Sequence, residues 1–436
     1  MRIIKNNILY IVVFIISFIL LILFGSNNTD IIWNYGDCIA LTRGLIPYKD
    51  FNIITTPLYP LLMSSFLFLN SNYYIFILEQ SLLITILFYV IDKNIGHKSI
   101  LLFSLSLFPN FYILFPNYNF FVVFLVIIIY LLDKKNYSDL FIGILLGLLI
   151  LTKHTIGGVI LICSLISTFS LKKSLKRIGG CILPGIVFII YLIITKSLYN
   201  FINLSIFGLF DFNNKNNLIL PLPLIIFILI IIYLIYSFIK NPKEKANYYL
   251  LGSLIFVYPI IDYFHINYLI FITLYFILEK NKIKNNKKYM EKISVFIIIE
   301  LIFFNIISNI NYYKNIHLYN INHFQGYYMH KEDYKYFNVA YKKYKKYNNC
   351  KMISMQSMLF DIAADKNINY FDIPLYGNFG YDGINNMKKK ISKMHNTYIF
   401  INYFNNRQFA RELCDYVKKK GKYIEKVGDY EIYYIE

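Results

Sequence analysis

Asp30, Asn34 and Asp37 recur at spacings of four and three, the rhythm that stacks side chains on one face of a helix. A carboxylate on such a face can take a proton from a hydroxyl and so serve as a general base. Arg43 and Lys49 follow in the same stretch, and Lys153, His154 and His265 come later. Cations of these types hold phosphate, arginine through a bidentate fork and lysine as a point charge. His265 lies three residues after Asp262, so an imidazole–carboxylate pair is available there too. Each feature has a plainer reading. An acidic helix face is usually solvated, a lysine near a membrane surface snorkels, and a loop histidine can simply pair with Asp262. Glu79 and Glu300 fall inside apolar runs, where a carboxylate is expensive; neither is assigned a role.

The elements that must position these residues are mostly apolar. Over 436 residues the chain is 57% apolar, more than one soluble core of that length can bury. The expected fold is a polytopic α-helical membrane protein with about 11 transmembrane helices and a small C-terminal α/β domain outside the membrane. A basic start (Arg2, Lys5) followed by Ile8 to Phe24 reads as an uncleaved first span, because no small-residue cleavage site follows it. Later spans are expected at 73–91, 99–115, 117–133, 138–152, 155–171, 178–196, 218–239, 247–262, 265–279 and 293–309. Lysine-rich loops alternate between them: Lys93 to Lys98, Lys134–Lys135, Lys172 to Arg177, Lys240 to Lys245 and Lys280 to Lys292. Placing all of these in the cytoplasm satisfies the positive-inside rule. The N-terminus is then cytoplasmic and residues 311–436 lie outside.

Pro57 to Leu69 is too short to span and would invert every later loop, so it reads as a helix lying along the outer interface. Residues 1–310 then form the membrane domain, with a long first outside loop at 26–72 and a shorter one at 197–217. In the first loop, Asp30 to Gly44 reads as an amphipathic helix against the outer membrane surface. Asn28 or Thr29 can cap its start, and Gly44 with Pro47 can stop it.

Beyond residue 310 the apolar runs give way to mixed patterning. Helices are expected at Lys331 to Tyr347 and Asn406 to Lys419, buried strands at Lys351 to Met355 and Thr397 to Ile401, and a strand pair from Gly421 to Ile435. Gly377, Gly380 and Gly383 sit in a polar loop and form no nucleotide-binding fingerprint. The formal net charge of +19 follows from lysine in short loops and a bias toward Ile, Asn, Lys, Tyr and Phe, so a nucleic-acid partner is not expected. The five cysteines, Cys38, Cys163, Cys181, Cys350 and Cys414, lack metal-ligand spacing. A Cys350–Cys414 bridge stays open.

The stretch from Asp30 to Gly44, then Pro47-Tyr48-Lys49-Asp50-Phe51 and Pro57-Leu58, resembles the first outside loop of the GT-C superfamily, membrane glycosyltransferases that use polyprenyl-phosphate-linked sugars. It is closest in style to a bacterial branch related to protein mannosyltransferases. The span plan is similar as well. So are Leu151-Thr152-Lys153 with Gly157, and Tyr258-Pro259 with Asp262 and His265. The resemblance covers most of residues 1–310. It implies a glycosyltransferase of the plasma or inner membrane, moving a hexosyl or pentosyl group from a polyprenyl-phosphate donor in membrane lipid to an extracytoplasmic glycan, lipid or protein acceptor. Asp30 matches the acidic catalytic position, with Asp37 as a second catalytic candidate. Arg43, Tyr48, Lys49, Asp50, Lys153, Asp262 and His265 become candidates for holding substrate and phosphate. The chain departs from the family in two places. Ile31 stands where many members have a second acidic residue, and Asn117-Tyr118-Asn119 stands where another is common. The metal question is therefore left open, with a divalent cation as one option and no cofactor certain.

Two other functions compete. A transporter or flippase of lipid-linked glycans would show paired charges in several spans and internal repeats, and no repeat is found. An inactive GT-C-like scaffold would bind partners through residues 311–436.

Overall fold

Runs of Ile, Leu, Val and Phe become helices almost throughout the first 280 residues, as they must where lipid leaves backbone groups no other hydrogen-bond partner. The computed structural model describes residues 2–24, 29–96, 98–106, 115–280, 316–318, 321–368, 374–380, 382–403 and 408–436. The expected span 293–309, Glu300, the 281–292 loop and the start of the helix expected from Asn406 lie outside the described residues. The chain forms two compact units. One comprises residues 1–21, 80–189 and 218–311; the other comprises 22–79, 190–217 and 312–436.

The first unit contains most of α1 (Arg2–Phe24) and α4 (Tyr73–Ile95), then α5 (Lys98–Ser106), α6 (Tyr118–Lys134), α7 (Asp139–Ile150), α8 (His154–Ser167) and most of α9 (Leu171–Ile194). After β1 (Leu218–Ile219) come α12 (Pro221–Lys240), α13 (Lys245–Ser253), β2 (Ile260–Ile261) and α14 (Tyr263–Lys280). Among the described residues three helices, α4, α9 and α12, are long and apolar enough to cross a bilayer. Val187 on α9 and Ile239 on α12 are 69% and 78% exposed, faces that water penalises and lipid does not. Other expected spans are shorter: α7 has 12 residues and α8 has 14.

Two features hold this unit together. Gly143 and Gly147 form a small-residue stripe on α7, facing α9. A Cβ on Gly143 would sit 2.2 Å from Arg177 O, and one on Gly180 would sit 2.1 Å from Leu140 O. The helices touch backbone to backbone, the packing that small residues allow in lipid. The second feature is a buried ion network. The Arg177 guanidinium donates to both Asp133 oxygens, at 2.6 and 2.9 Å, to Asp139 at 2.9 Å and to Ser164 Oγ at 2.6 Å. Lys245 and Tyr249 also donate to Asp133, at 2.6 and 2.9 Å. The network joins α6, α7, α8, α9 and α13. Arg177 is 1% exposed, so this loop residue, read from sequence as a charge that sets orientation, is also a structural hub.

The second unit holds an antiparallel pair, β3 (Ile316–Leu318) and β4 (Tyr328–His330), and is built on the sheet β5 (Cys350–Ile353), β6 (Thr397–Ile401), β7 (Lys422–Val427) and β8 (Tyr430–Ile435), in the order β5-β6-β8-β7. β5 and β6 run parallel and β8 is antiparallel to both its neighbours. The helices Gly383–Ser392 and Arg411–Lys420 bury Ile391, Leu413 and Val417 with Ile399, Ile401 and Ile435. Elsewhere the rings of Tyr344 and Phe360 pack on Phe400 and Tyr430, at 5.3 and 5.1 Å. The expected α/β domain is thus present. Cys350 and Cys414 are both free and buried, so no disulfide joins them.

The α/β domain carries the rest of its unit. Gly36 on α2 (Thr29–Thr42) lies against Met358 of the helix Ser357–Ala363, where a Cβ would meet the sulfur at 2.4 Å. The helical run from Leu198 to Asn216 packs on the turn at Gly377 and Gly380. Both glycines adopt φ near +85°, at +88° and +81°, and a Cβ on Gly377 would lie 2.6 Å from that of Phe212. These glycines serve a turn and a close backbone approach.

Candidate functional site

The Asp30 face belongs to the second unit. α2 begins within a residue of the expected start, with Asp30 in its first turn. The Asn34 side chain donates to Asp30 O at 2.6 Å. The expected solvated stripe is replaced by burial. Asn34 and Asp37 are 2% and 3% exposed, while Asp30 is half-buried. The reason is that α2 is covered by α3 (Leu58–Met63), by the start of α4 and by Ser357–Ala363. Its Tyr35 anchors an aromatic cluster with Tyr73, Phe76 and Phe324. Of the carboxylates on α2, Asp30 is therefore the one with solvent access.

The motif that follows is a tight loop. Tyr48 N donates to Phe51 O at 3.0 Å, and Ile46 N donates to Asp50 Oδ2 at 2.8 Å. Tyr48 takes φ +67°, a strained position for a bulky residue. It is held by its hydroxyl donating to Thr55 O at 2.8 Å and by its ring against Phe201 at 5.2 Å. Burial pushes the Tyr48 hydroxyl well above its ordinary value, so it stays protonated and can only hydrogen-bond. Tyr48 and Asp50 shape the loop. Lys49 is exposed. Arg43 donates to Lys366 O at 2.5 Å and lies 3.6 Å from Asp365; burial draws it below the usual guanidinium range.

Lys153, Asp262 and His265 belong to the first unit. Lys153 donates to Asn119 Oδ1 at 2.9 Å and lies over the Tyr118 ring at 5.2 Å. The Asn117-Tyr118-Asn119 segment therefore engages the lysine, and Asn117 also caps α6 by accepting from Asn119 N at 2.7 Å. Asp262 caps α14 by accepting from His265 N at 2.8 Å, and the same oxygen meets His265 Nδ1 at 2.7 Å. The parallel bridge β1–β2, with Leu220 N donating to Ile261 O at 2.9 Å, fixes the chain just before it.

The sequence candidates thus fall into two groups, one per unit. Among the described residues no three His, Cys, Asp or Glu side chains are placed to hold a metal ion. Sequence reasoning missed Ser71, His323 and Asp365, which meet in the second unit. It also gave no role to Glu79, which accepts from Ser65 Oγ at 2.9 Å and Phe66 N at 2.8 Å and so closes the segment after α3. No family model, curated protein or solved structure matches this chain.

Proposed function

We propose that the chain is a membrane glycosyltransferase that moves a sugar from polyprenyl phosphate to an acceptor outside the membrane. The observation that carries this reading is the make-up of the second unit. Residues 22–79, 190–217 and 312–436 pack as one body, and that body takes in the 26–72 and 197–217 loops and nearly all of the 311–436 segment that the charge pattern of the loops assigns to the outer side. Asp30 lies in that body, half-buried at the first turn of a helix that is otherwise enclosed. A carboxylate with solvent access suits a base that takes the proton of an acceptor hydroxyl as it attacks the anomeric carbon. The sugar–phosphate bond breaks as the new glycosidic bond forms, and polyprenyl phosphate leaves as an anion. Arg43 and Lys49, in the same unit as Asp30, are cations on offer to it.

The test is turnover by purified protein in proteoliposomes supplied with a polyprenyl-phosphate sugar. Transfer predicts free polyprenyl phosphate in step with glycosylated acceptor. Movement of intact lipid-linked sugar across the bilayer without cleavage would replace the transferase with a flippase.

A further inference from the structure

Ser71, His323 and Asp365 come from three separate stretches of the second unit and meet in one chain of hydrogen bonds. Ser71 Oγ lies 2.7 Å from His323 Nδ1, and His323 Nε2 lies 2.5 Å from Asp365 Oδ1. A carboxylate only accepts, so Nε2 carries the ring proton and Nδ1 is left to accept from the Ser71 hydroxyl. That is the order of a nucleophile, its base and the group that orients the base. The partners are themselves held. The Tyr35 hydroxyl lies 2.5 Å from Ser71 O and 2.7 Å from His323 O, its single proton shared between the two carbonyls. Asn322 donates to Asp365 at 2.9 Å, and Arg43 lies beside the same carboxylate. His323 and Asp365 both adopt left-handed backbone, with φ +67° and +55°, a strain that persists only where surroundings enforce it.

We propose that Ser71 is a nucleophilic serine that accepts acyl groups from lipid esters, an activity separate from sugar transfer. The substrate class follows from the segment just before it. Leu61, Phe66, Phe68 and Leu69 are exposed, Leu69 at 88%, on the stretch read as lying along the membrane interface. In the reaction Ser71 Oγ attacks the ester carbonyl carbon while its proton passes to His323. The ester C–O bond breaks, the alcohol leaves with the proton from His323, and an acyl-Ser71 ester remains. Water, or a second hydroxyl compound, attacks that ester as His323 again takes the proton; the Ser71 Oγ–acyl bond breaks, Ser71 takes the proton back from His323, and the free acid or new ester leaves. The first-turn amides of Tyr73 and Tyr74 are committed to His323 O and Gln325 O, at 2.8 and 3.2 Å, so they do not serve as oxyanion donors.

The experiment treats full-length protein in detergent with a fluorophosphonate and maps the adduct by mass spectrometry. Ser71 in native protein reacts, Ser71 in heat-denatured protein does not, and His323→Gln slows the reaction by about 100-fold, the lower end of a general base's contribution. Native Ser71 reacting no faster than Ser65, or a folded His323→Gln variant reacting at the wild-type rate, overturns the proposal. If His323→Gln fails to fold, the native-against-denatured comparison decides alone. A series of p-nitrophenyl esters from acetate to laurate tests the lipid part: turnover is expected to rise ~10-fold with chain length as apolar surface is buried, and a flat series removes it. Ser71→Ala keeps full sugar transfer, so failure here leaves the glycosyltransferase reading untouched.

Discussion

Replacing Asp361 with asparagine should stabilise the α/β domain at neutral and alkaline pH. Asp361 is 1% exposed, in the helix Ser357–Ala363. Burial raises its carboxyl from 3.8 to about 7, although the Tyr344 hydroxyl donates to it at 2.5 Å and Lys351, Lys366 and Arg43 lie nearby. The folded domain therefore binds this proton more tightly than the unfolded chain does. Stability from the group is complete below about pH 4 and is lost progressively as pH rises to about 7. At about 1.4 kcal/mol for each pH unit between those values, the ionised carboxylate costs the fold about 4 kcal/mol at pH 8. Asparagine keeps the shape and still accepts from Tyr344, so Asp361→Asn should recover about 2–4 kcal/mol at pH 8 and almost nothing at pH 4. The assay is hydrogen exchange of the β5 and β6 amides in the full chain, corrected for intrinsic exchange. A gain of about 4 kcal/mol corresponds to roughly a thousand-fold slower opening-limited exchange. A variant that exchanges faster than wild type at pH 8, or a difference independent of pH, would refute the reasoning.

Arg177→Ala should cost about 3–5 kcal/mol, because Asp139 and Ser164 lose their guanidinium donor and Asp133 is left to Lys245 and Tyr249; thermal unfolding in detergent reads this, and a shift below 1 °C would count against a hub. Gly180→Val should lower stability by more than ~2 kcal/mol, since its side chain would meet the Leu140 carbonyl. Gly158→Ala, with open space around its Cβ position, is the matched control and should be neutral. Tyr48→Phe leaves the Thr55 carbonyl without its hydroxyl donor and should cost about 1–3 kcal/mol. Lys49→Ala, at an exposed position, should leave stability unchanged, so any loss of turnover in it reports on substrate.

Much of the fold was legible. Strand β6 falls on the expected Thr397 to Ile401, and the helix Lys331–Lys346 ends one residue before the expected Tyr347, because alternating and helical periods are local properties of the chain. Burial was less so. α2 starts where its cap and period put it, yet it packs against residues more than 300 positions away, as Gly36 does against Met358. A stripe of Asp and Asn looks solvated until the elements around the helix are known. Arg177 shows the same limit: a loop cation and a buried hub look alike until Asp133, Asp139 and Ser164 are brought around it. Asp262 and His265 pair as their spacing implies, since three residues at a helix start bring a cap and a ring together. Ser71, His323 and Asp365 carried no signal, being 252 and 42 positions apart along the chain.

In the proposed transfer Asp30 is the base, and removing its charge is the sharpest check. Wild type and Asp30→Asn are reconstituted side by side, with a polyprenyl-phosphate sugar and acceptor, and free polyprenyl phosphate is measured over time. Release by the wild type and a fall of at least ~100-fold in a still-folded Asp30→Asn variant are expected. Equal release by a folded Asp30→Asn protein would contradict Asp30 as the base.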